Sequence, residues 1–349
     1  MRVAVAMVLV LALALGLGGC APQGGEMEGE GISAAQGQRE EGQDSAAAGG
    51  NIEEGGDSAA GEKGTEGGGQ GLKVVATIFP PYDFARALTE GTGAQVTMLI
   101  KPGVESHSFD PTPEDILTIA EADLFLCIGG HDEAWVDTVL EGQDRGPGRV
   151  VKLIGCVETL PQAGQGEHGH EEGRGIDEHI WTSVGNARQM AQAICQALEA
   201  ADPEGAQAYR ANYEDYAAQL EALDQAFQAV VDGGVRREVV FGDRFPFRYF
   251  AQDYGLTWYS AFAGCSGEGE PSAADIAFLI DKIQQDGIPV VYHIEQGSLR
   301  TAQTIAQEAG VETVLMHSCH NLTVEELERG ETYLSLMEGN LQALAQGLN

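Results

Sequence analysis

The sequence predicts an α/β protein with two lobes, each built on a mostly parallel sheet, joined by one long backbone helix. Three observations carry this. From Leu72 onward, short apolar runs alternate with helical patterns, and they do so in two separate blocks. Between the blocks lies a single uninterrupted helical stripe. The chain of 349 residues, 43% hydrophobic, has room for two ordinary domains and a sizeable core.

In chain order, Met1-Arg2 is a short basic start, and Val3–Leu17 is an uncharged apolar run ending in Leu17-Gly18-Gly19-Cys20. The run is shorter than the roughly 20 residues a membrane span needs, so residues 1–20 read as a signal peptide. The small residues before Cys20 look like a bacterial lipobox, which makes Cys20 the expected lipidation site. Residues 21–71 contain 16 glycines and no aromatic side chain. Such a segment buries too little apolar area to offset its ordering entropy, and it is expected to be a disordered acidic tether.

The first lobe, 72–200, has expected strands at 73–78, 95–100, 124–128 and 150–154. Helices are expected near 82–89, 113–121 and 132–140, and Met190–Cys195 is a further helical stretch. Next comes the stripe. Tyr209, Tyr213, Tyr216, Leu220, Leu223, Phe227 and Val230 recur at alternating spacings of 4 and 3, one face of one helix. Asp202-Pro203 marks its start, and it would run about 40 Å at 1.5 Å per residue. The stripe suits either a coiled-coil oligomer or a backbone helix along both lobes. It lasts only about four heptads between two globular halves, which favours the backbone helix, 201–233, in a monomer. The second lobe, 234–349, has strands at 238–241, 257–261, 289–294 and 313–316. Its helices fall near 247–254, 273–286, 299–309 and 333–348.

Nineteen Lys and Arg stand against 54 Asp and Glu, a net charge of −35. No basic surface exists to displace phosphate counterions, so nucleic acid is excluded as a partner. Five cysteines remain after Cys20. Outside the cytoplasm a disulfide is possible, and Cys265 and Cys319, each just after a strand-like segment, are the expected pair, although sequence alone does not set connectivity.

Open parallel sheets bind ligands beyond the carboxyl ends of their strands. His107, His179, Asp243 and His317 all follow strands in this way. Imidazoles and a carboxylate converging from two lobes would form a divalent transition-metal site, and imidazole-rich sets favour zinc.

These residues also sit in recognisable contexts. His107-x-x-x-Pro111-x-Pro113-x-Asp115, Asp123-Leu124, Trp135 and Glu178-His179-Ile180-Trp181 with Asn186-Ala187 resemble the metal-binding receptors of ABC importers, the zinc and manganese solute-binding lipoproteins. Tyr254-Gly255-Leu256, Glu270-Pro271-Ser272 and the final apolar helix fit as well. The resemblance covers 72–349. It implies a metal site in the cleft between lobes and an extracytoplasmic, lipid-anchored protein. That protein would capture Zn²⁺, or less readily Mn²⁺, and deliver it to a cognate membrane permease.

The second half departs from the pattern. Many members place a histidine where this chain has Gly242-Asp243-Arg244-Phe245-Pro246-Phe247, and an acidic ligand where it has Met316-His317-Ser318-Cys319-His320. The expected ligand set is therefore His107, His179, His317 and Asp243. Glu268, His320 or water are the alternatives for the fourth position. His168 and His170 form a short acidic loop that resembles a reduced zinc-capturing loop, and it suits a plain solvated loop equally. His131 is expected to be a surface cap and His293 structural. An extracellular zinc hydrolase is the competing function, with Glu178 as its base, but no His-Glu-x-x-His helix or nucleophile motif is present. A metal-binding adhesin of the same fold is the third.

Overall fold

The computed structural model describes residues 71–104, 106, 109–141, 149–163, 172–262, 271–297 and 299–349. Contacts divide the chain into residues 1–65 and 66–349, and the first unit lies wholly outside the described residues. So do the expected signal peptide, Cys20 and the expected tether up to residue 70. His107, His168, His170, Cys265 and Glu268 also lie outside them.

The first lobe is a four-stranded parallel sheet of β1 (Lys73–Ala76), β2 (Gln95–Met98), β3 (Leu124–Cys127) and β4 (Val150–Lys152), in the order β2-β1-β3-β4. Its central strands are apolar runs covered on both faces, as buried parallel strands must be. Helix α1 (Phe79–Leu88) follows β1, and Pro80 and Pro81 fit its first turn, where no N–H partner is needed. Helix α2 (Pro113–Glu121) opens on a reciprocal cap between Thr112 and Asp115. Helix α3 (Ala134–Leu140) precedes β4. The expected strand 150–154 ends at Lys152, where the chain tightens into a 3₁₀ turn, Leu153–Cys156.

Not every element was expected: the helix Val324–Arg329 in the second lobe has no counterpart in the sequence reading. A short antiparallel hairpin pairs β5 (Pro161–Ala163) with β6 (Glu172–Ile176). Helix α4 (Val184–Ala201) extends the anticipated 190–195 stretch in both directions, starting where the Ser183 hydroxyl accepts from the Asn186 N–H at 3.0 Å.

Helix α5 (Ala206–Gly233) is the expected backbone helix, 28 residues long. Tyr209, Tyr216, Leu220, Leu223, Phe227 and Val231 are its buried positions, with Tyr213 and Val230 partly covered. The second lobe is again parallel: β7 (Glu238–Phe241), β8 (Thr257–Ser260), β9 (Val290–His293) and β10 (Glu312–Leu315), in the order β10-β9-β7-β8. Helices α6 (Arg248–Tyr254), α7 (Ala273–Asp286), α8 (Leu299–Ala309), α9 (Val324–Arg329) and α10 (Tyr333–Leu348) complete it. Helix α5 packs on α1 and α4 of the first lobe and on α6 and α10 of the second, so its stripe is covered within the chain.

One core runs through both lobes, joining Val74, Phe84 and Trp181 to Phe227, Phe241 and Tyr333. Polar bonds reinforce it. The Tyr333 N–H donates to Asp83 Oδ2 at 2.8 Å, and its hydroxyl donates to the Trp181 carbonyl at 2.7 Å. Asp83 is buried there, which pushes its carboxyl up to about 6.

Candidate metal centre

The first-lobe side of the centre is the segment Asp177–Trp181, delivered by β6. Tyr249 of α6 anchors it: its hydroxyl accepts from the Leu160 N–H at 3.0 Å and donates to the Asp177 carbonyl at 2.7 Å. His179 is buried, 5% exposed. Asp177 Oδ1 lies 2.9 Å from His179 Nδ1 and also accepts the His179 backbone N–H at 3.0 Å. A carboxylate on Nδ1 fixes the ring's orientation and tautomer and leaves Nε2 as the nitrogen that could take a metal.

Glu178, the residue before His179, is held by the first-lobe backbone. Its carboxylate accepts the backbone N–H groups of His131 and Asp132. That approach requires glycine at 130, because a Cβ there would run into the Glu178 carboxylate and the residue has φ +107°. Burial, and then the charge of Asp132, push the Glu178 carboxyl up to about 7.

The second lobe contributes the bend that follows β10. His320 meets His179 edge to face, ring centroids 5.5 Å apart, and leans on Trp181 at 5.0 Å. Its Nε2 lies 2.7 Å from Ser106 Oγ, so the first-lobe segment leading to residue 107 reaches the same place. The Trp181 indole N–H donates to the Ser318 carbonyl at 2.9 Å and ties the two lobes together beside the rings. Together Ser106, Asp132, Glu133, Glu178, His179, Trp181 and His320, floored by Ile78, Ile100 and Ile128, line a cavity of about 20 Å³. That is room on the order of one water or one ion.

Of the expected quartet, His107 lies outside the described residues, and His179, His317 and Asp243 lie within them. Among the described residues no three His, Cys, Asp or Glu side chains converge on a point that would hold a metal. His317, which ends the strand run as anticipated, is turned into its own lobe. Asn340 of α10 clamps its backbone from both sides: Asn340 Oδ1 accepts the His317 N–H at 2.6 Å, and Nδ2 donates to the His317 carbonyl at 2.8 Å. The ring's Nδ1 accepts the Cys319 N–H at 2.9 Å, and Nε2 lies 3.5 Å from Glu326 Oε1. Burial opposes its charge, but Glu295 and Glu326 outweigh that and hold the imidazole above its ordinary range, while His317 draws the Glu326 carboxyl down to about 2.

Asp243 is likewise 1% exposed and spoken for. It accepts the N–H of Arg244 at 2.8 Å and of Ile294 at 3.3 Å, and sits so close to Gly297 that a Cβ there would overlap it. It is a strand-end brace within the second lobe.

Of the anticipated Cys265–Cys319 pair, Cys319 alone lies among the described residues. Cys319 is a free, fully buried thiol, held at φ +57° with Sγ turned toward the His317 carbonyl. His293 closes β9 against the Ile294 carbonyl, and His131 is exposed and offers Glu178 its N–H, both in keeping with structural roles. The residues that sequence reading passed over are Asp177, Ser106, Asn340 and Asn321. A polar Asn340 on the apolar stripe Tyr333, Met337, Leu344 was the one legible signal, because a buried amide there must find a buried partner.

Comparison with known proteins agrees with this architecture. The family described as zinc-uptake complex component A, periplasmic (ZnuA), matches residues 74–347. The zinc-binding lipoprotein AdcA of Streptococcus pneumoniae is 33% identical over 280 residues, 79% of this chain and 55% of that protein, so the chain spans about half the length of this relative. The high-affinity zinc uptake system protein ZnuA of Bacillus subtilis is 30% identical over 285 residues, 79% of this chain and 88% of that one. Among solved structures, the zinc-bound ZnuA-like domain of S. pneumoniae AdcA superposes with a TM-score of 0.67 at 31% identity, covering 80% of this chain and 99% of that one. The metal-dependent lipoprotein YcdH of B. subtilis gives 0.69 at 30% identity, covering 79% and 99%.

Proposed function

This chain belongs to the ZnuA family of zinc-uptake complex components, and from that premise we propose that it captures Zn²⁺ outside the cytoplasm and delivers it to the permease of an ABC importer. The observation that carries the reading is the pair His179 and His320, one from each lobe, facing each other over a small acidic cavity with His179 already oriented by Asp177. His107, expected from the sequence and next to Ser106, supplies the third imidazole. Neutral imidazoles suit zinc better than manganese, which prefers oxygen ligands. His317 and Asp243 brace the second lobe and take no part in ligation.

The protein performs no chemistry on this reading, and its cycle is capture, docking and release. It is monomeric, since the α5 stripe is covered within the chain, and it is held at the membrane by lipid on Cys20. Elemental analysis of protein purified under native conditions, with zinc and manganese titrations, tests the assignment. One zinc per chain is expected, and at a thousandfold excess over its dissociation constant the ion should stabilise the fold by about 4 kcal/mol. Peptide or phosphate-ester hydrolysis that depends on the bound metal would favour the hydrolase reading instead.

A further inference from the structure

We infer that Asn321 is a positioning residue that fixes His320 against the first lobe and so sets how long a captured ion is held; this rests on the site reading above. Asn321 is 2% exposed. Both of its amide N–H groups are spent on first-lobe carbonyls, Lys101 at 2.9 Å and Val104 at 3.0 Å, while its Oδ1 accepts the Leu322 N–H at 2.8 Å. Beside it the Gly103 N–H donates to the Leu322 carbonyl at 2.7 Å, and Gly103 can do so because it occupies the left-handed region at φ +77°. The strand-end segment 101–104 of one lobe is thereby stapled to 321–322 of the other.

The staple brackets the metal centre. The same first-lobe strip reaches His320 through Ser106, one residue before Asn321 in the second lobe's chain. The acceptors at 101 and 104 are backbone oxygens, so two of the staple's three bonds depend on one side-chain amide, which only an amide of this length can satisfy twice. An ion ligated from both lobes leaves when the ligands separate. A connection beside the ligands, made before the ion arrives, supplies that geometry in advance and acts chiefly on the off-rate.

The test compares Asn321→Asp, which keeps shape and acceptor but removes both donors, with the parent chain. Zinc release into excess chelator is followed by stopped flow, affinity by chelator competition, and metal-free melting by calorimetry. Release should quicken about tenfold with capture changed less than about twofold. In a His320→Ala background the same change should alter affinity by less than about twofold, because the residue it positions is gone. A lowered melting temperature with parental release and affinity would reduce Asn321 to a structural role and overturn the inference. His320→Ala with parental affinity would overturn the site reading and the inference with it, whereas a weak His320→Ala beside a parental Asn321→Asp would overturn the inference alone. Asn321→Ser replaces the two amide donors with one shorter hydroxyl and adds no charge, and it carries the same expectations should the aspartate variant fail to fold.

Discussion

Removing the Asp177 carboxylate should weaken zinc binding while leaving a folded protein. The side chain is 3% exposed and holds His179 by two contacts, ring Nδ1 at 2.9 Å and backbone N–H at 3.0 Å. Asp177→Ala releases the ring to rotate and change tautomer, and outer partners of this kind are worth about 10–100-fold in metal affinity. That range is about 1.4–2.7 kcal/mol. The same change strands a buried N–H, which costs the metal-free fold about 1–3 kcal/mol, a drop of several degrees in melting temperature. Asp177→Asn keeps an acceptor and the volume, loses the charge, and should fall near the lower bound, about tenfold. Competition against a chromophoric chelator near neutral pH measures the affinities, and calorimetry of metal-free protein measures the fold. If Asp177→Ala binds zinc within about twofold of the parent, Asp177 does not orient a ligand and the role given to His179 fails.

Gly130→Ala should destabilise the metal-free protein by about 1–3 kcal/mol, because a Cβ at φ +107° displaces the Glu178 carboxylate; an unchanged melting temperature would refute that contact. Asn340→Leu leaves the His317 N–H and carbonyl unpaired in the core and should cost about 2–4 kcal/mol by urea unfolding, against near neutrality if the pair is incidental. For pH, Glu178 is raised from 4.5 to about 7, so the stability it contributes is complete below about 4.5 and is lost as pH rises through about 7; Asp83, raised to about 6, has the same sign. The metal-free melting temperature should therefore decline from mildly acidic to neutral pH, and Glu178→Gln should flatten that decline. Glu326, lowered to about 2, acts oppositely: its contribution is present above about 4.5 and fades as pH falls toward 2. Finally, α5 and the bonds from Tyr333 and Asn321 cross between lobes, so X-ray scattering of chain from residue 71 onward should show loading without contraction of several Å in radius of gyration.

Alternation of apolar runs with helical periodicity made the two sheets and the long helix legible, since buried parallel strands and a one-sided stripe leave unmistakable patterns. The helices at 113–121, 273–286, 299–309 and 333–348 have the boundaries read from sequence. The hairpin β5–β6 was not legible, because Pro161-Gln162-Ala163 and Glu172–Ile176 carry no two-residue alternation. At the candidate centre, His179 was legible from the Glu178-His179-Ile180-Trp181 context, whereas the sequence favours His317 where the structure sets His320 beside His179. A strand-end rule favours His317, the residue at which the run stops. The chain instead spends two further hydrogen bonds on Asn340 there and turns that backbone inward, which brings His320 round to the rings. Such a reversal depends on an amide 23 residues away, and no local pattern around 317 records it.

Anomalous diffraction at the zinc edge, from crystals of the zinc-loaded protein, tests the central claim most directly. One peak should lie about 2.0–2.1 Å from the ring nitrogens of both His179 and His320. A peak on His317 or Asp243 with His320 unligated, or no zinc between the lobes, would contradict the account.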